Sequence, residues 1–159
     1  SIKFEKISIN KIIKDSVDIN SFKIKKREGE IILNLCSDES FIYGNYDHLI
    51  NVFNNLLDNA NKYSTDKPII NISSTKINDI LEVAISDNGI GIKNSNIDKV
   101  FDKFYREPQG NIHNVKGFGL GLSYVKNILN KHKATIDVES KINNGTKFII
   151  NFKLYGRNK

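Results

Sequence analysis

Three stretches of the chain carry residue types whose spacing suits ligand chemistry. Between Tyr46 and Tyr63, at 100° per residue, the side chains of His48, Asn51, Asn55, Asn59 and Lys62 fall within roughly 80° of arc. Leu49, Phe53, Leu56, Leu57 and Ala60 gather on the opposite side, which marks that side as core. A polar stripe is ordinarily a solvated helix face, but asparagine suits such a face poorly. Its short side chain competes for backbone hydrogen bonds, and its helix propensity is low. An amide oxygen is a hard, neutral ligand that suits Mg²⁺, and an ammonium one turn later suits the phosphates such an ion would bridge. The second stretch, Ile85-Ser86-Asp87-Asn88-Gly89-Ile90-Gly91-Ile92, places a carboxylate and two glycines directly after a strand. A buried Asp there can accept a hydrogen bond from an exocyclic amine while the glycines let the backbone come close to a ligand, although Asp-x-Gly-x-Gly alone is often just a turn. The third, Gly117-Phe118-Gly119-Leu120-Gly121-Leu122, opens a helix whose unpaired N–H groups and positive dipole end can hold phosphate oxygens. It is not the dinucleotide fingerprint, which follows the first strand of a βαβ unit and is spaced differently.

The elements that must hold these stretches follow from periodicity. A short strand is expected over Phe4 to Ile9, then a helix capped by Asn10 with Ile12, Ile13, Val17 and Ile19 on one side, turning back over Lys23 to Gly29. Two strand-like runs come next, Glu30 to Leu35 and Phe41 to Tyr43, then the helix from Tyr46 to Tyr63. After Pro68, two β-rich runs, Ile69 to Ser74 and Ile80 to Ile85, flank an Asn78-Asp79 hairpin turn. Asp87 to Gly117 is polar and weakly periodic apart from a helical patch at Val100-Phe101-Phe104, and a loop that long inside a compact domain is usually functional. A helix over Phe118 to His132 and strands over Ala134 to Glu139 and Lys147 to Leu154, joined through Asn143-Asn144-Gly145, complete the chain. The order suits an α+β fold, a two-layer sandwich with a mixed sheet covered on one face by helices.

Composition narrows the function classes. The 159 residues suit one domain, residues 1–159, and no run approaches the ~20 apolar residues needed to cross a bilayer. The first residues lack the apolar stretch of a secretory signal, so no export address is expected in them. Cys36 has no second cysteine to pair with and is read as strand core. The net charge of +6 raises nucleic acid as a partner, but the lysines are scattered among acids rather than clustered on one face. No nucleic acid and no membrane contact are therefore expected.

Taken together, four segments resemble the histidine kinases of two-component systems, within the wider group of ATPases that includes gyrase, mismatch-repair proteins and heat-shock chaperones. Asn51 to Ser64 looks like their N box, Asp87 to Gly91 like the first glycine box, Val100 to Arg106 like the F box and Gly117 to Leu122 like the second glycine box. Any one box is modest, but four in order and spacing extend the likeness over essentially the whole chain. The resemblance implies the Bergerat ATP-binding fold, with about five mostly antiparallel strands, about three helices, an N-terminal strand and helix over residues 1–29 and an ATP lid over residues 107–117. It implies that Asn59 ligates Mg²⁺ beside Asn55, that Lys62 and Arg106 contact phosphates, and that Tyr63 packs against the base. Asp87 would bind the adenine amine, with Gly89, Gly91 and Ile92 shaping that pocket and Thr146 nearby. Gly117, Gly119, Leu120, Gly121 and Leu122 would frame the phosphates, and Phe101 and Phe104 would anchor the lid.

The hydrolytic members of the wider group carry a Glu four residues before the metal-binding Asn, where it can activate water. Here that position is Asn55, which is no general base near neutral pH, so slow hydrolysis is expected. What remains is positioning and charge neutralisation of a γ-phosphoryl group, which suits transfer to a nucleophile supplied from elsewhere. The resemblance makes that nucleophile a histidine. No His-Glu/Asp-x-x-Thr/Asn-Pro acceptor motif surrounds His48, His113 or His132. The acceptor is therefore expected on a separate helical domain, with a response regulator downstream, this domain monomeric and cytoplasmic, and the parent a membrane-bound sensor. An anti-sigma-type serine kinase would share the nucleotide fold but lack the F-box wording. An ATP-sensing module without transfer would be expected to have lost one of Asn59, Asp87, Lys62 or Arg106.

Overall fold

The alternation of apolar residues in the β-rich runs sets the architecture. In the computed structural model, which describes residues 2–37, 40–103, 105 and 121–156, these runs build one five-stranded sheet. Its strands are β2 (Glu30–Asn34), β4 (Ile69–Ile77), β5 (Ile80–Asp87), β6 (Thr135–Ser140) and β7 (Thr146–Lys153), in the order β2-β4-β5-β7-β6. Only β2 and β4 pair in parallel, the other three pairings being antiparallel. Ile70, Ile72, Leu81, Val83, Ile85, Phe148, Ile150 and Phe152 point to one side and are buried. That side is covered by α1 (Ile9–Lys26), α2 (Tyr46–Lys62) and α3 (Gly121–Lys131). Phe53 of α2 meets Phe152 of β7 across the layer at a ring separation of 6.5 Å. A separate two-stranded sheet pairs β1 (Glu5–Ser8) with β3 (Phe41–Gly44). The two-layer sandwich expected from the order of elements is the fold observed. The hairpin between β4 and β5 turns at Asn78, whose φ of 55° is one that asparagine tolerates.

Several local expectations change. Ser8 rather than Asn10 caps α1, its hydroxyl accepting from the Lys11 amide, and the helix runs on to Lys26. Asn10 instead donates to the Cys36 carbonyl. Ile19 is 58% exposed because it falls off the face that α1 turns to α2. Cys36 lies beyond the end of β2 and is half-buried, so it is not strand core. The helical turn near the F box covers Asn94–Lys99, before Val100 rather than around it.

His132 runs against the usual preference for a cation at a helix end. As the residue after α3 it suits a cation that complements the helix dipole, yet it is buried, and burial holds its pKa below the ordinary imidazole value. Its Nδ1 sits 2.8 Å from the Ile128 carbonyl, and its Nε2 accepts from the Asn45 amide at 3.0 Å. The ring is therefore neutral, with its proton on Nδ1, and it stacks on Phe4. Asn45 is the N-cap of α2, so this histidine ties the end of one site helix to the start of another. Protonation would put an N–H against the Asn45 N–H. Because the folded pKa is depressed, stability is fully present above the unfolded value of 6.5 and falls as pH drops below it towards the folded value. His132→Ala is expected to cost about 1–3 kcal/mol for the orphaned amide and to flatten this acid limb in denaturation measured between pH 5 and 8.

Candidate functional site

The polar face of α2 is assembled as its spacing requires. Leu49, Val52, Phe53, Leu56, Leu57 and Ala60 are buried, whereas Asn51, Asn55, Asn59 and Lys62 retain access to solvent. The asparagines of this helix do different work. Asn54 turns into the α1 contact, its Oδ1 accepting from the Ser16 hydroxyl at 2.6 Å and from the Asn20 amide at 3.0 Å. Asn55 donates its Nδ2 to the Asn51 carbonyl at 2.7 Å, which turns its Oδ1 towards the start of α3. A Cβ on Gly121, the first residue of α3, would lie 3.1 Å from that oxygen. Among the described residues the Asn59 side chain makes no hydrogen bond, and no group of three His, Cys, Asp or Glu could hold a metal. A magnesium ion at Asn59 would have an amide oxygen and phosphate oxygens as ligands, a set that suits an ion which keeps several waters.

Lys62 is paired with Asp58 one turn earlier at 2.9 Å, so a phosphate drawing on its ammonium would share it with a carboxylate. The last turn of α2 is fixed by Arg27, just beyond α1. Its guanidinium donates to the carbonyls of Asn61, Ser64 and Asp66 and to the Ser64 hydroxyl. It thereby satisfies carbonyls that a helix end leaves unpaired, and it places Lys62 and Tyr63.

Tyr63 then reaches the second stretch. Its carbonyl accepts from the Ile90 amide at 3.0 Å, and a Cβ on Gly89 would stand 2.6 Å from the same oxygen, so only glycine fits there. Asp87, the last residue of β5, takes the Gly89 amide at 2.8 Å and the Thr146 amide at 3.2 Å on its Oδ1. No described residue donates to its Oδ2. Burial raises its pKa above the ordinary 3.8, opposed by the two amides. The backbone around it is forced close. Gly145 has a φ of +80°, and a Cβ on it would fall 1.9 Å from the Asp87 carbonyl oxygen. Gly91, at +77°, packs likewise on the Lys141 carbonyl. Ile92 is buried beside them, and Asp87, Ser140, Gly145 and Thr146 line an open cleft of about 330 Å³.

Asn55, Asn59, Lys62, Tyr63, Asp87, Gly89, Gly91, Ile92, Gly121, Leu122 and Thr146 thus belong to the C-terminal half of α2, the loop it touches, the start of α3 and the start of β7. Phe101 packs edge-on against Phe148. Phe104, Arg106, Gly117, Gly119 and Leu120, together with the expected lid at residues 107–117, lie outside the described residues. Sequence reasoning overlooked Asp58, Arg27 and Ser140. The four-residue spacing of Asp58 and Lys62 was a readable signal, whereas Arg27 acts through contacts distant in sequence, and Ser140 through its hairpin partners Gly145 and Thr146 and the distant Ile92 amide.

A two-layer sandwich with an amide-bearing helix joined to a glycine-shaped pocket around a half-buried aspartate defines a class of nucleotide-binding domain. Residues 44–156 match the family described as histidine kinase-, DNA gyrase B-, and HSP90-like ATPase. The chain is 43% identical over 152 residues to the sensor protein RprX of Bacteroides fragilis, covering 94% of this chain and 29% of that protein. It is 33% identical over 155 residues to the sensor protein SrrB of Staphylococcus aureus, covering 92% and 26%. Among solved structures, the catalytic domain of the histidine kinase ThkA superposes with a TM-score of 0.83 at 23% identity, over 96% of this chain and 98% of that one, a likeness of fold. The chain belongs to this ATPase family, as a domain of the sensor histidine kinase type. It spans under a third of the length of the two sensor proteins. No described helix is long and apolar enough to cross a membrane.

Proposed function

We propose that the chain binds Mg·ATP and sets its γ-phosphoryl group for transfer to a histidine on a separate dimerisation and phosphoacceptor domain, from which a response regulator is charged. The observation that carries this reading is the junction at Tyr63. There the helix bearing Asn55, Asn59 and Lys62 hydrogen-bonds to the loop that folds around Asp87, so amides for the metal end and a carboxylate for the base end belong to one rigid unit. Asp87 would receive the adenine amine, Tyr63 would cover the base, and the start of α3 at Gly121 and Leu122 would face the phosphates. Asn59, beside Asn55, would hold the magnesium, which when bound neutralises charge on the phosphates. Lys62, released in part from Asp58, would do the same from the next turn, and Arg106 would contribute from the F box. With Asn55 where the hydrolytic relatives carry a Glu, no side chain at this position takes a proton from water, which favours transfer over hydrolysis.

In the parent protein this domain would be the cytoplasmic part of a membrane-bound sensor, monomeric when isolated. The test is to mix the chain with labelled ATP and an acceptor hairpin. Label that is acid-labile and base-stable on the hairpin, with little free phosphate released, is the expected result. Acid-stable label would assign the chain to a serine kinase, and absence of transfer to any hairpin would leave a nucleotide-binding module.

A further inference from the structure

Asp58 and Lys62 stand one turn apart on α2, with the ammonium 2.9 Å from the Asp58 carboxylate. Their side chains are 37% and 26% exposed, so water screens the pair and it adds little to the stability of the fold. Its effect on the charge of the helix face is larger. From Asn51 to Lys62, Lys62 is the one cation and Asp58 the one anion, and each cancels the other. The amides of Asn55 and Asn59 bring dipoles to this face but no charge. Arg27, beyond the end of α1, answers the negative pole at the C-terminus of α2, its guanidinium engaged with the carbonyls of Asn61, Ser64 and Asp66. This half of the helix therefore holds no surplus of positive charge for an anion.

A triphosphate that arrives with Mg²⁺ has much of its charge already cancelled, whereas the bare anion depends on cations of the protein. We infer that Asp58 is a positioning residue that sets the preference for metal-loaded nucleotide: by holding the Lys62 ammonium it keeps this face charge-balanced, so the site admits a triphosphate with its divalent cation and disfavours the same triphosphate without it. This rests on the assignment of Lys62 to the phosphates. Because the pair is screened and weak, a bound triphosphate can still draw Lys62 partly away from Asp58, and what the carboxylate imposes is a bias rather than a block.

The probes are ATP in excess Mg²⁺ and ATP in EDTA, titrated calorimetrically into the wild-type chain and into Asp58→Asn, with adenosine as the uncharged control. The substitution keeps the size of the side chain, removes its charge and frees Lys62. Bare ATP should then bind about fivefold more tightly and Mg·ATP at most about twofold, so the advantage conferred by Mg²⁺ shrinks while adenosine affinity is unchanged. Asp58→Glu, which keeps a carboxylate one turn from Lys62, should retain the wild-type ratio. Loss of a merely structural contact would weaken binding, so a gain concentrated on the bare triphosphate marks a role in charge balance. Asp58→Ala provides a second route, since alanine is the better helix former, and it should shift the ratio in the same direction. An unchanged ratio in either neutral variant, an equal gain for both forms of ATP, or a weakened adenosine complex would overturn the inference. So would a wild-type chain that binds bare ATP as tightly as Mg·ATP. Two results defeat the underlying reading instead: no binding of ATP in either condition, or a Lys62→Met variant that binds ATP as well as the wild type.

Discussion

Asp87→Asn is expected to weaken ATP binding about 10- to 100-fold while leaving the fold intact, the loss being that of a charge-assisted hydrogen bond. An asparagine can still accept the Gly89 and Thr146 amides on its Oδ1, so the turn that shapes the pocket survives. The second oxygen, however, becomes an NH₂ group, and an adenine amine would meet a donor rather than an acceptor. The same substitution should lower adenosine affinity by a similar factor. A loss confined to the triphosphate would place Asp87 at the phosphates and contradict the assignment. Acidification should mimic the substitution. Since burial holds the Asp87 pKa above 3.8, ATP affinity is expected to fall as pH drops through that raised value, and Asp87→Asn should abolish this dependence. In the unliganded chain the sign is opposite. The stability linked to a raised carboxyl pKa is fully present below the unfolded pKa and is lost as pH rises through the folded value.

Gly145→Ala is expected to do greater damage, to the fold and to binding together. The residue has a φ of +80°, a region an L side chain adopts at a cost, and its new methyl group would be placed 1.9 Å from the Asp87 carbonyl oxygen. That neighbour is backbone at the end of a central strand and cannot swing aside. Together strain and clash should cost on the order of 3 kcal/mol in chemical denaturation. Any relaxation must move Thr146, whose amide and hydroxyl both belong to the pocket wall, so ATP binding should be lost even in the fraction that folds. Wild-type stability and affinity in this variant would show that the β6–β7 turn does not build the pocket.

The helix that carries the asparagines was legible almost to the residue, because its core face obeys a single period from Leu49 to Ala60 and its N-cap and C-terminal lysine conform to helix-end preferences. Asp87, Gly89 and Gly91 were legible as a carboxylate beside glycines, and the need for Gly89 and Gly91 is now explained by the Tyr63 and Lys141 carbonyls pressed against them. Periodicity could not show which partners the helix ends would find. Arg27 reads as one more cation in a lysine-rich stretch until α1 and α2 pack and its guanidinium meets three carbonyls. His132 reads as a dipole-compensating cation until the fold buries it against Asn45. Ser140 is a strand-end serine whose role exists only once β6 and β7 pair. Arg27 and His132 depend on contacts between segments far apart in sequence, and Ser140 on the closing of a hairpin with Gly145 and Thr146; periodicity encodes neither kind of side-chain contact.

The most direct measurement is a calorimetric titration of the chain with ATP, with and without Mg²⁺, repeated with Asn59→Ala. Saturable one-site binding that Mg²⁺ strengthens in the wild type and fails to strengthen in Asn59→Ala is the expected result. No heat with Mg·ATP, or an equal response to Mg²⁺ with Asn59 replaced, would contradict a magnesium-bound triphosphate between α2, the Asp87 loop and α3.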